Sequence, residues 1–310
     1  MQKNLFTIAG VLLVLGVFGC ERHPTPVQTS DDQDVDPLKA AFEESELGGP
    51  VDFNSLSEVN SAFLLALLDR DAAAAKAALA AGADGNLDCG HGCTTLMLAA
   101  ATGDEELVGA VKKAGAEETP DAQPYLEILN FAGNAERPEY QAALKEIARL
   151  SGKKPMPQEL AGTYKLELDA EAARTFLDKH HAPLLDNGCY VFLYEQHFAL
   201  GGRSDVLWIL PTSDKYVVMA FTGVNGINYG IDNYLVIRWM KRLERDHPFV
   251  LTGCGFDFLS GRFETKLPDP AAMARRMYAF CPDIVDQGTG SVEALAKELR
   301  RTNELYFWWD

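Results

Sequence analysis

The residues best suited to chemistry lie near the C-terminus, between two predicted helices. Cys281, Asp283 and Asp286 follow one another closely, and a thiol beside carboxylates could serve as a nucleophile. Such a thiol needs a general base within hydrogen-bond reach, and His197, which ends a predicted strand, is the histidine considered for that role. These four residues predict a cysteine-dependent hydrolase as one alternative, although nothing in their spacing requires them to meet.

A second alternative is a noncatalytic site for a ligand or a protein partner. The polar side chains that could converge on it are Asp283, Asp286, Gln287, Asn225, Asn228, Asp257 and Arg262. The two asparagines stand in a glycine-rich loop over 223–230, and the last two residues of the set bracket a predicted turn. These residue types can donate and accept hydrogen bonds without needing a nucleophile.

A third interpretation is purely structural. Asp283 and Asp286 would cap helix ends, Cys281 would be a small core residue, and the Asn-Gly pairs would form turns. The two aspartates would share a face only if their segment were helical, and Gly288 and Gly290 argue against a helix there.

Cys89-Gly-His-Gly-Cys93 is a separate cluster of reactive types. A closed zinc site needs four ligands, and only two thiols and His91 are local. We therefore favour a disulfide between Cys89 and Cys93 over a metal site, given an oxidising compartment. We expect no metal and no cofactor.

Helices and strands must position the C-terminal residues. Their order along the chain is mixed and not strictly alternating, which predicts an α+β domain over 158–310. Alternation and β-branched or aromatic enrichment predict strands at 164–169, 189–194, 206–210, 216–221, 249–251, 258–263 and 307–309. Helical spacing predicts helices at 170–180, 233–245 and 271–280, with a last helix capped by Ser291.

From about Tyr164 onward the chain resembles the bacterial domain-of-unknown-function family 4253. The resemblance rests on Cys-Pro-Asp-Ile-Val-Asp-Gln-Gly at 281–288, the Gly-Ser-Val-Glu-Ala-Leu helix start at 290–295, and the Tyr-Phe-Trp-Trp-Asp ending at 306–310. The family name implies no activity.

Within a predicted domain over 51–152, the residues from about Ser61 to Glu118 repeat with a period of 33, which is the ankyrin period. Matching pairs include Ala66/Ala99 and Gly82/Gly115, and the segment Thr-Thr-Leu-Met-Leu-Ala-Ala from Thr94 resembles the ankyrin signature. Two further amphipathic helices at 125–131 and 139–150 would form a divergent third repeat or cap. The predicted fold class is thus a short N-terminal stack of ankyrin-like α-helical repeats followed by a mixed-sheet α+β domain, with a linker at 152–157.

The N-terminus predicts export. A short basic start, an uncharged apolar run from Leu5 to Phe18 and Gly19-Cys20 describe a signal peptide over 1–20, and this pattern resembles a bacterial lipoprotein signal with Cys20 as the lipidated residue. An ordinary cleaved signal or a single membrane anchor is the alternative. Glu21 favours, by analogy with enteric lipoproteins, the outer membrane facing the periplasm. Low hydrophobicity and clustered acids over 21–50 predict a disordered acidic tether.

Composition narrows the class of partner. The formal net charge is -17, which repels nucleic acid and anionic lipid. We therefore expect a lipid-anchored envelope protein that binds a protein partner through its ankyrin-like repeats, with immunity-like inhibition of an envelope effector as one form of that binding. The alternative is an envelope hydrolase that uses the Cys281, Asp283 and Asp286 region.

Overall fold

The chain folds into twelve α-helices and one seven-stranded mixed sheet within residues 51–197 and 202–310, which are the residues that the computed structural model describes. The predicted α+β class is confirmed. The predicted signal peptide, Cys20 and the predicted tether over 21–50 lie outside the described residues. None of the helices in the described part combines the length and the hydrophobicity that crossing a bilayer requires.

The helices in chain order are α1 (Glu58–Leu68), α2 (Ala72–Ala80), α3 (Thr95–Ala101), α4 (Glu105–Lys113), α5 (Gln123–Leu126), α6 (Phe131–Ala135), α7 (Pro138–Ser151), α8 (Ala170–Leu185), α9 (Lys215–Thr222), α10 (Asn233–Asp246), α11 (Pro270–Phe280) and α12 (Val292–Thr302). The strands are β1 (Met156–Pro157), β2 (Tyr164–Leu168), β3 (Tyr190–Glu195), β4 (Asp205–Leu210), β5 (Phe249–Cys254), β6 (Phe258–Phe263) and β7 (Glu304–Trp308). A π-helix spans Ile284–Thr289.

The first four helices form two pairs of the same local design. Asp71 caps α2 and Asp104 caps α4, each accepting from the backbone N–H three residues on, at 2.9 and 2.8 Å. Both helices have nine residues, and their first residues stand 33 positions apart. Gly82 and Gly115 follow their ends with φ of 97° and 106°, a conformation that only glycine adopts readily. The repeat in the sequence is therefore also a repeat in the backbone.

The predicted helix over 139–150 is confirmed as α7, which ends at Gly152 in a left-handed conformation with φ of 67°. The predicted helix over 125–131 is broken into α5, a 3-10 turn and the start of α6. Met156 and Pro157, within the predicted linker, form β1 and pair with β2.

The sheet has the order β1-β2-β4-β3-β5-β6-β7, antiparallel except for the β3–β5 pair. On one face, α8 packs on β2, β3 and β4. The other face carries the main core, where the Trp239 ring stacks on Phe280 at 4.4 Å and meets Phe307 edge-on at 5.1 Å. The C-terminal strand β7 forms one edge of the sheet, and its residues Leu305 and Phe307 are buried in the core.

One predicted strand is wrong. The run over 216–221 belongs to α9, which Asp214 caps by accepting from the Tyr216 N–H at 2.7 Å. Every residue from Val217 to Thr222 is buried, so the sequence shows no polar face that would reveal a period of 3.6 residues. A short, fully apolar run with two valines therefore looked like a buried strand.

The helix pairs are joined to the sheet region by packing and by partly buried hydrogen bonds. The Tyr125 hydroxyl donates to Asn233 Oδ1 at 2.8 Å, and the Asp121 carboxylate accepts from the Tyr234 hydroxyl at 2.9 Å and from Lys241 Nζ at 3.3 Å. One hydrophobic cluster runs from α1 to β7. The described residues fall in one compact unit, which includes both the helix pairs and the sheet region.

Candidate binding site

Cys281 is a buried thiol at the end of α11. It is 0% exposed, and its Sγ donates to the carbonyl oxygen of Trp308 at 3.0 Å. Burial raises the pKa of the Cys281 thiol to about 12, which keeps it protonated at neutral pH. His197 Nε2 lies 3.5 Å from Glu195 Oε2 instead, and no hydrogen bond joins it to Cys281 in the described part of the chain. The two residues are not assembled as a nucleophile and its base.

Asp283 holds the C-terminus in place. Its carboxylate is only 2% exposed and accepts three hydrogen bonds: from the Tyr229 hydroxyl at 2.5 Å, from Gln287 Nε2 at 3.0 Å and from the Asp310 N–H at 2.9 Å. Burial and the bond to Asp283 raise the pKa of Tyr229, so the phenol remains a donor. A carboxylate with three internal donors has little capacity left for a ligand.

The segment after Asp283 is helical, contrary to the expectation drawn from Gly288 and Gly290. It forms a π-helix that ends at Gly290 with φ of 76°. Asp283 stands at its first boundary without a side-chain capping bond, so its predicted role as a helix cap is wrong. Its carboxylate is used instead by donors that only the tertiary fold brings to it. Asp286 accepts from the Tyr278 hydroxyl at 3.2 Å on the exposed side.

Asn225 makes the turn that the structural interpretation predicted. Its Oδ1 accepts from the Ile227 N–H at 3.1 Å, and its Nδ2 donates to the Gly223 carbonyl at 2.9 Å. Its own N–H donates to the Phe256 carbonyl at 3.0 Å, which supports the turn between β5 and β6. Asn228 is exposed in the following 3-10 turn.

Three of the other candidate residues line an open groove or the pocket at its end. Because α8 covers β2, β3 and β4, strands β5 to β7 are left as the floor of a groove of about 550 Å³ with α8 as its wall. Arg262 lines this groove. His197 and Asp257 line a smaller pocket of about 340 Å³ at its end, which shares Gln196 and Tyr306 with the groove. The structure thus brings together three of the predicted site residues and leaves the others in the Cys281–Gln287 segment and the loop over 223–230.

The alternation of the three strands explains the polarity of the floor. Side chains on one face are buried in the core, among them Leu251, Leu259 and Phe307. Those on the other face point into the groove because successive strand residues face opposite sides. The groove-facing residues of β5 to β7 are Thr252, Ser260, Arg262, Glu304 and Tyr306.

Two ion pairs cross the groove from α8 to the sheet. Arg262 lies 3.3 Å from Asp178, and Arg174 lies 3.7 Å from Glu304. All four side chains are half or more exposed, so each pair adds little to folding and can exchange its partner for a ligand.

Aromatic rings surround the end pocket. Its lining comprises Tyr194, Glu195, Gln196, His197, Phe256, Asp257, Phe258, Tyr306 and Trp308. The Phe258 and Tyr306 rings stack at 6.4 Å, with 24° between their planes. A Cβ on Gly255 would lie 2.3 Å from the Phe258 ring, so the glycine is what lets this ring lie against the turn. Desolvation raises the pKa of Asp257 and, more strongly, brings that of Tyr306 to about 12.

The loop over 89–93 connects the two helix pairs and does not line the groove or the end pocket. Both cysteines carry free thiols, and the contact with Cys89 together with burial raises the pKa of Cys93 well above its usual range. The loop packs on the start of α10, where a Cβ on Gly92 would lie 3.2 Å from the Tyr234 ring. No set of three metal-ligating side chains converges within the described residues.

The sequence reasoning missed Arg174, Asp178, Phe256 and Tyr306. The alternation in Glu-Leu-Tyr-Phe-Trp over 304–308 could have placed Tyr306 opposite the core, together with Glu304. Nothing in the sequence indicates how far α8 extends over the sheet, so the wall residues could not be assigned.

Residues 206–310 match the family described as "Domain of unknown function (DUF4253)". The match covers β4 to the C-terminus and supports the resemblance there, and it begins later in the chain than the expected start near Tyr164. It includes the floor of the groove and excludes its α8 wall. No curated protein and no solved structure matches the chain.

Proposed function

We propose that this chain is a lipid-anchored protein of the bacterial envelope that binds a protein partner in the groove between α8 and β5 to β7, without catalysing a reaction. Lipid attachment through Cys20 and a location at the outer membrane, facing the periplasm, are parts of the proposal. Inhibition of an envelope effector, in the manner of an immunity protein, is one form that such binding would take.

The open groove is the observation that supports binding. A volume of about 550 Å³ is within the range of ligand sites and suits a short extended segment of a partner. Its hydroxyls, its arginines and the Tyr306 phenol give such a segment both donors and acceptors. The hydrolase alternative gains no comparable support, because Cys281 is buried, protonated and bonded to the Trp308 carbonyl.

We infer that α1 to α4 are two ankyrin-like repeats. The 33-residue spacing of the Asp71 and Asp104 caps and of Gly82 and Gly115 supports this assignment. Ankyrin arrays use their loop tips to bind partners. In this chain the loop tip over 89–93 packs on α10. Leu65 and Leu68 remain exposed on α1 and supply the second surface that we assign to the partner.

Partner capture tests the groove. The full chain, tagged and kept in detergent, is used to capture proteins from envelope extract, and the stoichiometric partner is identified. Ala170→Trp, at the rim of the groove, should abolish capture because the indole fills the space. Ala132→Trp, an exposed alanine at the start of α6, is the matched control and should leave capture intact.

Two results would contradict the proposal. One is that no envelope fraction contains a stoichiometric partner, and the other is that both tryptophan variants capture the partner equally. The double variant Leu65→Glu/Leu68→Glu reports on the helix pairs and should weaken capture without abolishing it. Loss of capture in that variant alone would show that the partner binds to the repeats and not in the groove.

The location has its own test. The proposed envelope site requires that Cys20 carry lipid. In an oxidising compartment the Cys89 and Cys93 thiols, which are free in the structure, would be oxidised to a disulfide. Metabolic labelling with a fatty acid should be lost in Cys20→Ala, and acid-trapped thiols should be absent from Cys89 and Cys93. An unlabelled chain in the cytosol, with both thiols reduced, is the opposite outcome.

A further inference from the structure

We propose that the aromatic pocket at the end of the groove binds an organic cation, namely the side chain of an arginine or lysine in an extended segment of the protein partner. This inference rests on the proposed function and names the chemistry by which the partner is recognised.

Aromatic side chains make up most of the lining of the pocket. Five of its nine lining residues are aromatic. The face of an aromatic ring is the negative end of its quadrupole, so several rings around one volume attract a cation more strongly than a neutral group. Phe256 is 63% exposed and the other rings are held by the strands, so the walls are largely preformed.

Two carboxylates complete the lining, those of Glu195 and Asp257. No lysine or arginine is among the described residues that line the pocket. His197 also faces it, with Nε2 at 3.5 Å from Glu195, and the C-terminal Asp310 adds negative charge near Asp257. The lining therefore combines acids with aromatic rings, and a cation is the charge that would complement both.

The groove has the same preference for positive charge, so it would favour a cationic peptide over more of its length. Carboxylates in the joint lining are Glu171, Asp178, Glu195, Asp205, Asp257 and Glu304, and the arginines are Arg174 and Arg262. Both arginines are already paired with acids across the groove. Because Gln196 and Tyr306 line both cavities, a segment lying in the groove can reach the pocket with one long side chain. A volume of about 340 Å³ exceeds what an arginine or lysine side chain occupies.

The test compares isosteric probes on the full chain in detergent. Binding of three blocked tripeptides is followed by saturation-transfer NMR and calorimetry: alanine-arginine-alanine, alanine-lysine-alanine, and the neutral analogue in which citrulline replaces arginine. We expect both cationic peptides to bind at least about tenfold more tightly than the citrulline peptide, a difference in the range of a partly desolvated cation–π contact.

Three variants assign the effect to the pocket. Phe256→Ala and Asp257→Asn should each weaken the arginine peptide by about tenfold. Both residues are exposed at the surface, so the fold should tolerate these changes. Phe53→Ala is the matched control, since Phe53 is 41% exposed on the helical part and lies outside the pocket.

Equal binding of the citrulline peptide, or of the arginine peptide to both pocket variants, would overturn the inference. Tetramethylammonium is the last probe: if it binds in the pocket while both cationic peptides do not, the occupant is a small quaternary ammonium and the assignment to a protein side chain is wrong. Capture of the partner separates the two proposals. A partner lost in Ala170→Trp but kept in Asp257→Asn and Phe256→Ala leaves the groove proposal standing and removes this one.

Discussion

Two regions of the molecule carry polar residues of the kind that mark functional sites, and they use them differently. In the Cys281–Gln287 segment, the polar groups bond to one another and to the backbone, with Asp283 accepting from three donors. In the groove, the residues line open volume, and their ion pairs are exposed. Polar side chains satisfied by the protein stabilise it, whereas those that face a cavity are available to a ligand.

The two regions are nevertheless connected. The N–H of Asn225 and that of Trp309 donate to the carbonyl groups of Phe256 and Asp257, at 3.0 and 2.9 Å. The turn that presents Phe256 to the end pocket is therefore held by the loop and the C-terminus that Asp283 fixes. The first region acts on the second by positioning it.

Removing Asp283 should give the largest effect on folding. Asp283→Ala leaves the Tyr229, Gln287 and Asp310 donors without their acceptor and should lower the free energy of unfolding by about 3 kcal/mol. Urea denaturation followed by circular dichroism measures it. Asp286→Ala, on the exposed side of the same segment, is the control and should stay within about 0.5 kcal/mol. A stable Asp283→Ala chain that loses its partner would instead make Asp283 a binding residue.

Removing the Cys281 thiol should have a smaller effect on folding and none on binding. Cys281→Ala loses one buried hydrogen bond to the Trp308 carbonyl and should cost about 1 kcal/mol. Native Cys281 should also resist iodoacetamide at pH 8, since burial raises its pKa to about 12. Rapid alkylation of Cys281 in the folded chain, read by peptide mass spectrometry, would return the hydrolase alternative to consideration.

In the groove, a substitution should have little effect on folding and a clear effect on binding. Arg262→Ala breaks an exposed ion pair with Asp178 and should change the free energy of unfolding by less than about 0.5 kcal/mol. Capture of the partner should fall, because a donor on the groove floor is lost. Arg301→Ala, which breaks a comparable exposed pair with Glu298 on α12, is the matched control and should leave capture unchanged.

The smallest predicted effect is the pH dependence of cation binding in the end pocket. Desolvation raises the pKa of Asp257, so cation binding should be strongest above that pKa and should weaken by about tenfold as the pH falls through it, at a higher pH than the usual value of about 4 for aspartate. Stability without ligand has the opposite sign, since the fold disfavours the ionised form and protonation at low pH relieves that cost. Calorimetry of the arginine peptide at a series of pH values checks this, and the pH dependence should disappear in Asp257→Asn.

Local patterns predicted most of the elements of the sheet region. Alternation in Tyr164–Leu168 and in Phe258–Phe263 produced two strands, and the apolar face of Leu235, Trp239 and Leu243 produced α10. The failures were α9, where burial on all sides removes the periodic signal, and the π-helix over 284–289, where glycines suggested a turn. Both errors occur where tertiary packing overrides local preference.

By itself, the sequence determined the mixed α+β class, the 33-residue helix repeat and the burial of the aromatic C-terminus, because each depends on the period of apolar residues along the chain. Only the tertiary structure decided which polar residues face a cavity. That outcome depends on α8 covering three strands and leaving three open, and on donors from separate segments meeting at Asp283. Such contacts join residues far apart in sequence, and no local pattern encodes them.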